Sequence, residues 1–176
     1  MLNGKVHLFI DGTFSIVPFV FYQILVIMAH YCQTELHVPI MHVLMTGKSE
    51  ELHWHALHWV IVASKWKLCP LLVTVDFGLG LYNAINDQFE ESETNGCLFH
   101  FKQALRNKMI EFRMSKEEIK IGMESNVIDL LAIIPINEVK EKGMPYVKSV
   151  IKEKNNTYNN VVEDKNKDLQ AKGEKK

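Results

Sequence analysis

Runs of apolar residues, broken by polar turns, divide the first two-thirds of the chain into short strands and longer helices. Val6-His7-Leu8-Phe9-Ile10 is an apolar, partly β-branched run that stops at the polar turn Asp11-Gly12-Thr13, which reads as a central strand. A second run, Phe19 to Ala29, is aromatic and β-branched, and a third spans Leu36 to Met45. The second has the composition of a strand, although its periodicity alone also allows a helix. Pro39 brings no amide proton to a ladder, so the third strand must lie at an edge or carry a bulge. Short turns between the three predict an antiparallel meander. Thr46 to Glu50 then breaks the pattern. Ser49 is placed to cap a helix reaching about Lys67, in which Leu52, Ala56, Trp59, Val60 and Ala63 recur at helical spacing. Beyond Pro70, Leu71 to Val75 predicts a buried strand ending at Asp76. A helix over Leu79 to Phe89, a short strand over Asn95 to Leu98 and a helix over Phe99 to Phe112 follow. Ser115 to Ile134 and Pro135 to Ile151 are weaker helical stretches.

The predicted order is β-β-β-α-β-α-β-α. Three consecutive strands followed by alternating helices and strands is the α/β layout of an RNase H-like domain. A core over 1–114, a helical segment over 115–151 and a polar tail over 152–176 are expected. The tail is rich in Asn, Lys, Glu and Asp and offers too few apolar residues to pack, so it is expected to be disordered. There is no internal repeat.

Composition narrows the classes. With 176 residues and 47% hydrophobic content, the chain suits one domain with a proper core. Net charge is −1, and through Ile151 there are 13 Lys and Arg against 16 Asp and Glu, with 7 against 5 in the tail. A protein gripping DNA through bulk charge usually offers a basic face, and none is obvious here. Cys32, Cys69 and Cys97 are odd in number and scattered, which argues against a disulfide framework and for an intracellular setting. The opening Met1-Leu2-Asn3-Gly4-Lys5 starts no signal peptide. The apolar stretch from Ile16 to His30 is broken by Pro18 and Gln23 and falls short of the roughly 20 residues a membrane span needs. No membrane partner is expected.

Two carboxylates stand out. Asp11 and Asp76 each end a predicted buried strand, where function gathers in α/β sheets. If those strands are neighbours, the carboxylates converge. Two like charges about 4 Å apart repel by roughly 4 kcal/mol at an effective dielectric near 20. Such a pair shares a proton or binds cations, and a pair of divalent metals is the known solution for phosphodiester cleavage. The plainer alternative is that each Asp caps a turn or the helix after it. His53, Trp54, His55, His58 and Trp59 crowd one helix, and amphipathic packing explains them better than metal binding, since no third ligand of matching spacing follows His55 and His58.

Phe9-Ile10-Asp11-Gly12-Thr13-Phe14, Phe21-Tyr22-Gln23-Ile24, and Val38-Pro39 with Leu44, Lys48 and Glu51 come in order along the chain. They are followed by Val75-Asp76-Phe77, Asn83-Ala84 and Phe89, and then by the run Gly96 to Leu105. In order and spacing this set resembles the Mutator-like element (MULE) transposase domain, a branch of the RNase H-like DDE transposases. The resemblance covers roughly Val6 to Met114. It implies a nuclear enzyme that cuts and joins DNA at transposon ends with two Mg²⁺ or Mn²⁺ ions held by an Asp-Asp-Glu triad. Asp11 matches the first acid and Asp76 the second. Cys97-x-x-His100 matches the family's C-x-x-H signature, and His100 is read as lining the site or facing phosphate; Cys97 could equally be a small core residue. Lys102, Arg106 and Lys108 follow as candidate phosphate contacts, with a solvated helix face as the alternative.

The departures from the family pattern carry their own expectations. Asp76-Phe77-Gly78 stands where the family has Asp-Phe-Glu. For the third acid, Asn159-Asn160-Val161-Val162-Glu163 has the local pattern of an Asn-Asn-x-x-Glu stretch, but a chance match in an Asn-rich tail explains it too. Glu138 matches a non-catalytic helix start. The segment over 115–151 is then a remnant of the family's helical insertion. The chain is expected to be a truncated core, inactive alone and prone to self-association through exposed apolar surface. The rival expectation is a non-catalytic module that binds DNA or a protein.

Overall fold

A strand with one face in a core and the other half-covered alternates its burial residue by residue. Val6, Leu8 and Ile10 are buried while His7, Phe9 and Asp11 are not, and Gln23, Leu25, Ile27 and Ala29 are buried in the same rhythm. The computed structural model describes residues 6–31 and 34–157, which fall into two units, Met1–His100 and Phe101–Lys176.

The first unit contains β1 (Val6–Thr13), β2 (Gln23–Tyr31), β3 (Leu36–Met45), α1 (Glu50–Ala63), β4 (Pro70–Val75), α2 (Leu79–Gln88) and β5 (Glu93–Gly96), and α3 (Leu98–Glu111) begins within it. The elements come in the expected order. They build a mixed five-stranded sheet, β3-β2-β1-β4-β5, in which β1–β2 and β2–β3 are antiparallel while β1–β4 and β4–β5 are parallel. Leu8, Ile10, Leu25, Ile27, Val73 and Val75 from the strands pack with Leu57 of α1 and Ile85 of α2, and all eight are essentially without solvent contact. The helices are tied to one another as well: Asn83 Nδ2 donates to Glu50 Oε2 at 2.7 Å, and Trp54 Nε1 donates to Asp87 Oδ2.

Local signals account for most boundaries. Ser49 Oγ accepts the Leu52 N–H at 3.3 Å and caps α1. The helix stops at Ala63, short of Lys67, because Lys65 and Trp66 take positive φ (57° and 61°) and Trp66 N–H bonds back to the Ile61 carbonyl at 3.0 Å. Pro39 lies on an edge strand and beside a bulge, since the β2–β3 register slips between Ile27 (opposite Met41) and Met28 (opposite Pro39). The opposite edge, β5, has only four residues, Glu-Thr-Asn-Gly.

Three strand boundaries differ from the sequence expectation. β1 does not stop at a turn over Asp11-Gly12-Thr13 but runs through it, because Asp11, Gly12 and Thr13 pair with Val26, Leu25 and Ile24 of β2. Phe19 to Tyr22 stays outside the sheet, because a turn closed by Phe21 N–H on the Pro18 carbonyl (2.9 Å) delays β2 until Gln23 pairs with Met45. β5 begins two residues earlier than Asn95, since Leu98 already belongs to α3.

In the second unit, α3 is followed by α4 (Lys116–Gly122), a 3-10 turn (Ile128–Ala132) and a helical run over 136–157 that carries a π turn (Val139–Gly143). α4 starts with a capping box: Ser115 Oγ accepts the Glu118 N–H, and Glu118 Oε2 accepts the Ser115 N–H. Met109, Ile121, Val127, Ile128, Val147 and Ile151 form the core of this unit. The last helix continues to 157, past the expected start of an unstructured tail at Lys152, because burial of Val147 and Ile151 anchors its preceding turns. Among the described residues no helix is long and apolar enough to cross a membrane.

Leu57 is fully buried between the sheet and α1, so Leu57→Ala should lose about 2–5 kcal/mol of stability. Urea denaturation checks it, as a lower midpoint at unchanged slope.

Candidate active site at the strand ends

The last register pair between the parallel strands β1 and β4 is Ile10 opposite Val75. The next residue on each is a carboxylate, Asp11 and Asp76. The ladder on the far side of β4 ends at the same level. Val75 pairs with Gly96, and the Cys97 N–H donates to the Val75 carbonyl at 2.7 Å. α3 then opens at Leu98, which puts His100 in its first turn. The C-x-x-H spacing thus has a mechanical meaning here. Its Cys is fixed to the backbone beside Asp76, and its His approaches Asp11.

His100 Nε2 lies 3.8 Å from Asp11 Oδ1, an ion pair when the imidazole is protonated. That distance is too long for a hydrogen bond. Asp11 Oδ1 and His100 Nδ1 are both buried atoms without a hydrogen-bond partner among the described residues, although the Asp11 side chain as a whole is half-exposed. A buried carboxylate oxygen left unpaired is costly, and its natural complement is a cation or a donor from a ligand.

Asp76 is engaged differently. Its Oδ1 accepts the Gly78 N–H at 2.9 Å, forming a tight turn into α2, whose N-cap is Gly78. This is the capping role that the sequence left open for either Asp. Gly78 fits because a Cβ at this position would come within 3.0 Å of Asp76 Oδ1. Phe77 packs so closely on Gly96 that a Cβ there would meet its ring at 2.7 Å.

Asp76 also lines a cavity of about 340 Å³ together with Gly12, Phe14, Gln23, Lys48 and His53. Sequence reasoning missed the network behind it. Gln23 is buried, and its Nε2 donates to the Gly47 carbonyl (3.1 Å) and meets His53 Nε2 (3.0 Å). His53 Nδ1 is 2.9 Å from the Ser49 carbonyl, so the proton sits on Nδ1 and Nε2 accepts from Gln23. Burial holds the His53 pKa below its ordinary 6.5, against the opposing pull of the Ser49 carbonyl and the Asp76 charge. The available signal was a lone amide at the start of an apolar strand, since a polar residue on a core face needs a partner. The neighbouring rings of α1 pack on one another, with Trp54 stacked on His58 at 5.2 Å.

The other candidates are dispersed. In the second unit Lys102 is ion-paired with Asp129 at 2.7 Å, an interaction that holds the Asp129 carboxyl below its usual range. Arg106 is exposed, and Lys108 pairs with Glu111 at 2.7 Å on the surface. Cys97 is a half-buried free thiol. Glu163 and Cys32 lie outside the described residues. Among the described residues no three His, Cys, Asp or Glu side chains converge as a ready metal cluster.

The family model of the MULE transposase domain matches residues 7–104, more than half of the chain, from β1 into the first half of α3. No curated protein matches the chain.

His53 is neutral when folded and its pKa is depressed, so its contribution to stability is complete above pH 6.5 and declines as pH falls below that value. His7, whose pKa burial and the neighbouring His30 and His37 also lower, adds a decline of the same sign. Urea midpoints measured from pH 8 to pH 5 should therefore fall on the acid side, and His53→Gln should flatten part of that fall. A slope unchanged by the substitution counts against the buried neutral imidazole.

Proposed function

Since the chain belongs to the MULE transposase domain family, we propose that its first unit is an RNase H-like core for metal-dependent cleavage and joining of DNA strands, with Asp11 and Asp76 as its acids. The observation that carries this reading is the register: the two carboxylates directly follow the last β1–β4 pair, on neighbouring strands. Sheet order β3-β2-β1-β4-β5 with only β2 reversed supports the RNase H-like assignment.

The donor set fits a hard divalent cation. Mg²⁺ and Mn²⁺ take oxygen ligands and commonly use one or two carboxylates, completing their shells with water and substrate phosphate. Asp11 offers a buried oxygen with no other hydrogen-bond partner among the described residues, and Asp76 keeps its Oδ2 for a ligand while Oδ1 holds the turn. When bound, such cations activate the attacking water or hydroxyl and neutralise the leaving oxygen. The chain's own contribution is orientation. The sheet fixes Asp11 and the turn to Gly78 fixes Asp76, and His100 stands beside Asp11, able to face a phosphate or to pair with the carboxylate when protonated. Glu163 is retained as the third acid of this proposal. A role on chromosomal DNA makes the nucleus the compartment.

A second reading has its own support. The engagement of Asp76 in the turn to Gly78 favours a fold kept as a non-catalytic module that binds DNA or a protein partner.

Supercoiled plasmid incubated with Mn²⁺ separates the two. Nicking by the wild-type chain that drops at least about 100-fold, roughly 2.7 kcal/mol, in both Asp11→Asn and Asp76→Asn would support the two acids and overturn the expectation of a core inactive alone. Intact plasmid with wild-type protein, or nicking indifferent to both substitutions, would leave only the binding reading.

A further inference from the structure

The chain leaving β1 just beyond Asp11 carries an unusual side-chain set. Phe14 is 55% exposed, Phe19 fully exposed at 103% and Tyr22 45% exposed, with Ile16 and Val20 exposed between them. The Phe14 and Tyr22 rings meet edge to face at 5.6 Å, and Lys48 Nζ lies 5.9 Å from the centre of the Tyr22 ring. Phe14 and Lys48 also line the cavity that Asp76 borders. This position is fixed from beneath. Tyr22 N–H donates to the Met45 carbonyl at 2.7 Å, Gln23 Nε2 bonds the Gly47 carbonyl, and His53 holds Gln23. Gly12 leaves room for that amide, since a Cβ there would come within 2.9 Å of Gln23 Oε1. The buried network therefore ties together the aromatic loop and the turn that bears Lys48.

We propose that the β1–β2 loop is a stacking platform for unpaired bases of a DNA strand, with Lys48 meeting the adjoining phosphate. The proposal rests on the DNA-cleaving reading of Asp11 and Asp76 and deepens it by naming the form of DNA the site takes. Exposed aromatic faces beside a cation are the combination that captures single strands, because every base has a π-face and every nucleotide a phosphate. Paired bases hide those faces inside the duplex, so only a frayed or displaced strand can use the platform. The charge pattern favours this occupant over an apolar protein surface, which would leave Lys48 without a counter-charge.

Fluorescence anisotropy tests it with labelled single-stranded and duplex oligonucleotides, in EDTA so that no strand is cut. Phe19→Ala and Tyr22→Ala, checked for folding by circular dichroism, should each weaken single-strand binding about tenfold while duplex binding holds. Phe19→Trp should keep the wild-type affinity. Single-strand binding that is unchanged in both alanine variants, or duplex binding that falls in parallel, overturns the platform while leaving the cleavage reading intact. A wild-type chain that binds neither form overturns the platform, while the cleavage reading is decided separately by the Mn²⁺ nicking assay. Light scattering that finds a wild-type dimer and a Phe19→Ala monomer identifies the loop as a surface between copies instead.

Discussion

Everything at the candidate site depends on the parallel pairing of β1 with β4. β1 is the middle strand of the sheet, with β2 on one side and β4 on the other. Because side chains alternate strictly along a strand, slipping this register by one residue would send Asp11 to the core face and Ile10 to the open one. The fully buried Leu8 and Ile10, set against Val73 and Val75, prevent that slip. Hydrophobic burial, which is indifferent to chemistry, thereby fixes where two charges end. The same ladder fixes Cys97 through the Val75 carbonyl and starts α3 where His100 can approach Asp11.

The two acids are not equivalent: Asp11 lies within β1, whereas Asp76 lies just past the end of β4. Asp76 holds the backbone amide of Gly78, whereas Asp11 has a buried oxygen with no hydrogen-bond partner among the described residues. A carboxylate with its hydrogen bonds supplied locally is stable without a ligand, and one without them is not. Asp11 is thus open to a ligand where Asp76 is already engaged, and the Nδ1 of the neighbouring His100 is likewise without a hydrogen-bond partner among the described residues.

Much of this was legible in the sequence because it is local. Strand composition, the Ser49 cap, the constraint that Pro39 puts on β3 and the two acids at strand ends can each be read within a few residues. That the strands leading to Asp11 and Asp76 are neighbours could not be read from periodicity. It required strand order, which came from the likeness to a known layout. The aromatic stretch Phe19 to Tyr22 misled because composition cannot separate a buried strand from an exposed apolar loop; the turn at Pro18 decides it. The Gln23–His53 bond joins residues thirty apart, and Lys102–Asp129 joins two helical segments, so neither leaves a local mark. The chemistry of Glu163 falls beyond the described residues.

The two margins of the sheet have a consequence of their own. An open sheet can grow by accepting a stranger's strand wherever a long, regular row of amides and carbonyls is left uncovered. Here one margin is interrupted by a proline and a bulge, and the other is four polar residues long. Neither is a good template for cross-β growth, the route by which exposed sheets turn into insoluble fibrils. A chain with this many apolar groups facing water is therefore protected at its backbone, and association between copies is left to side chains.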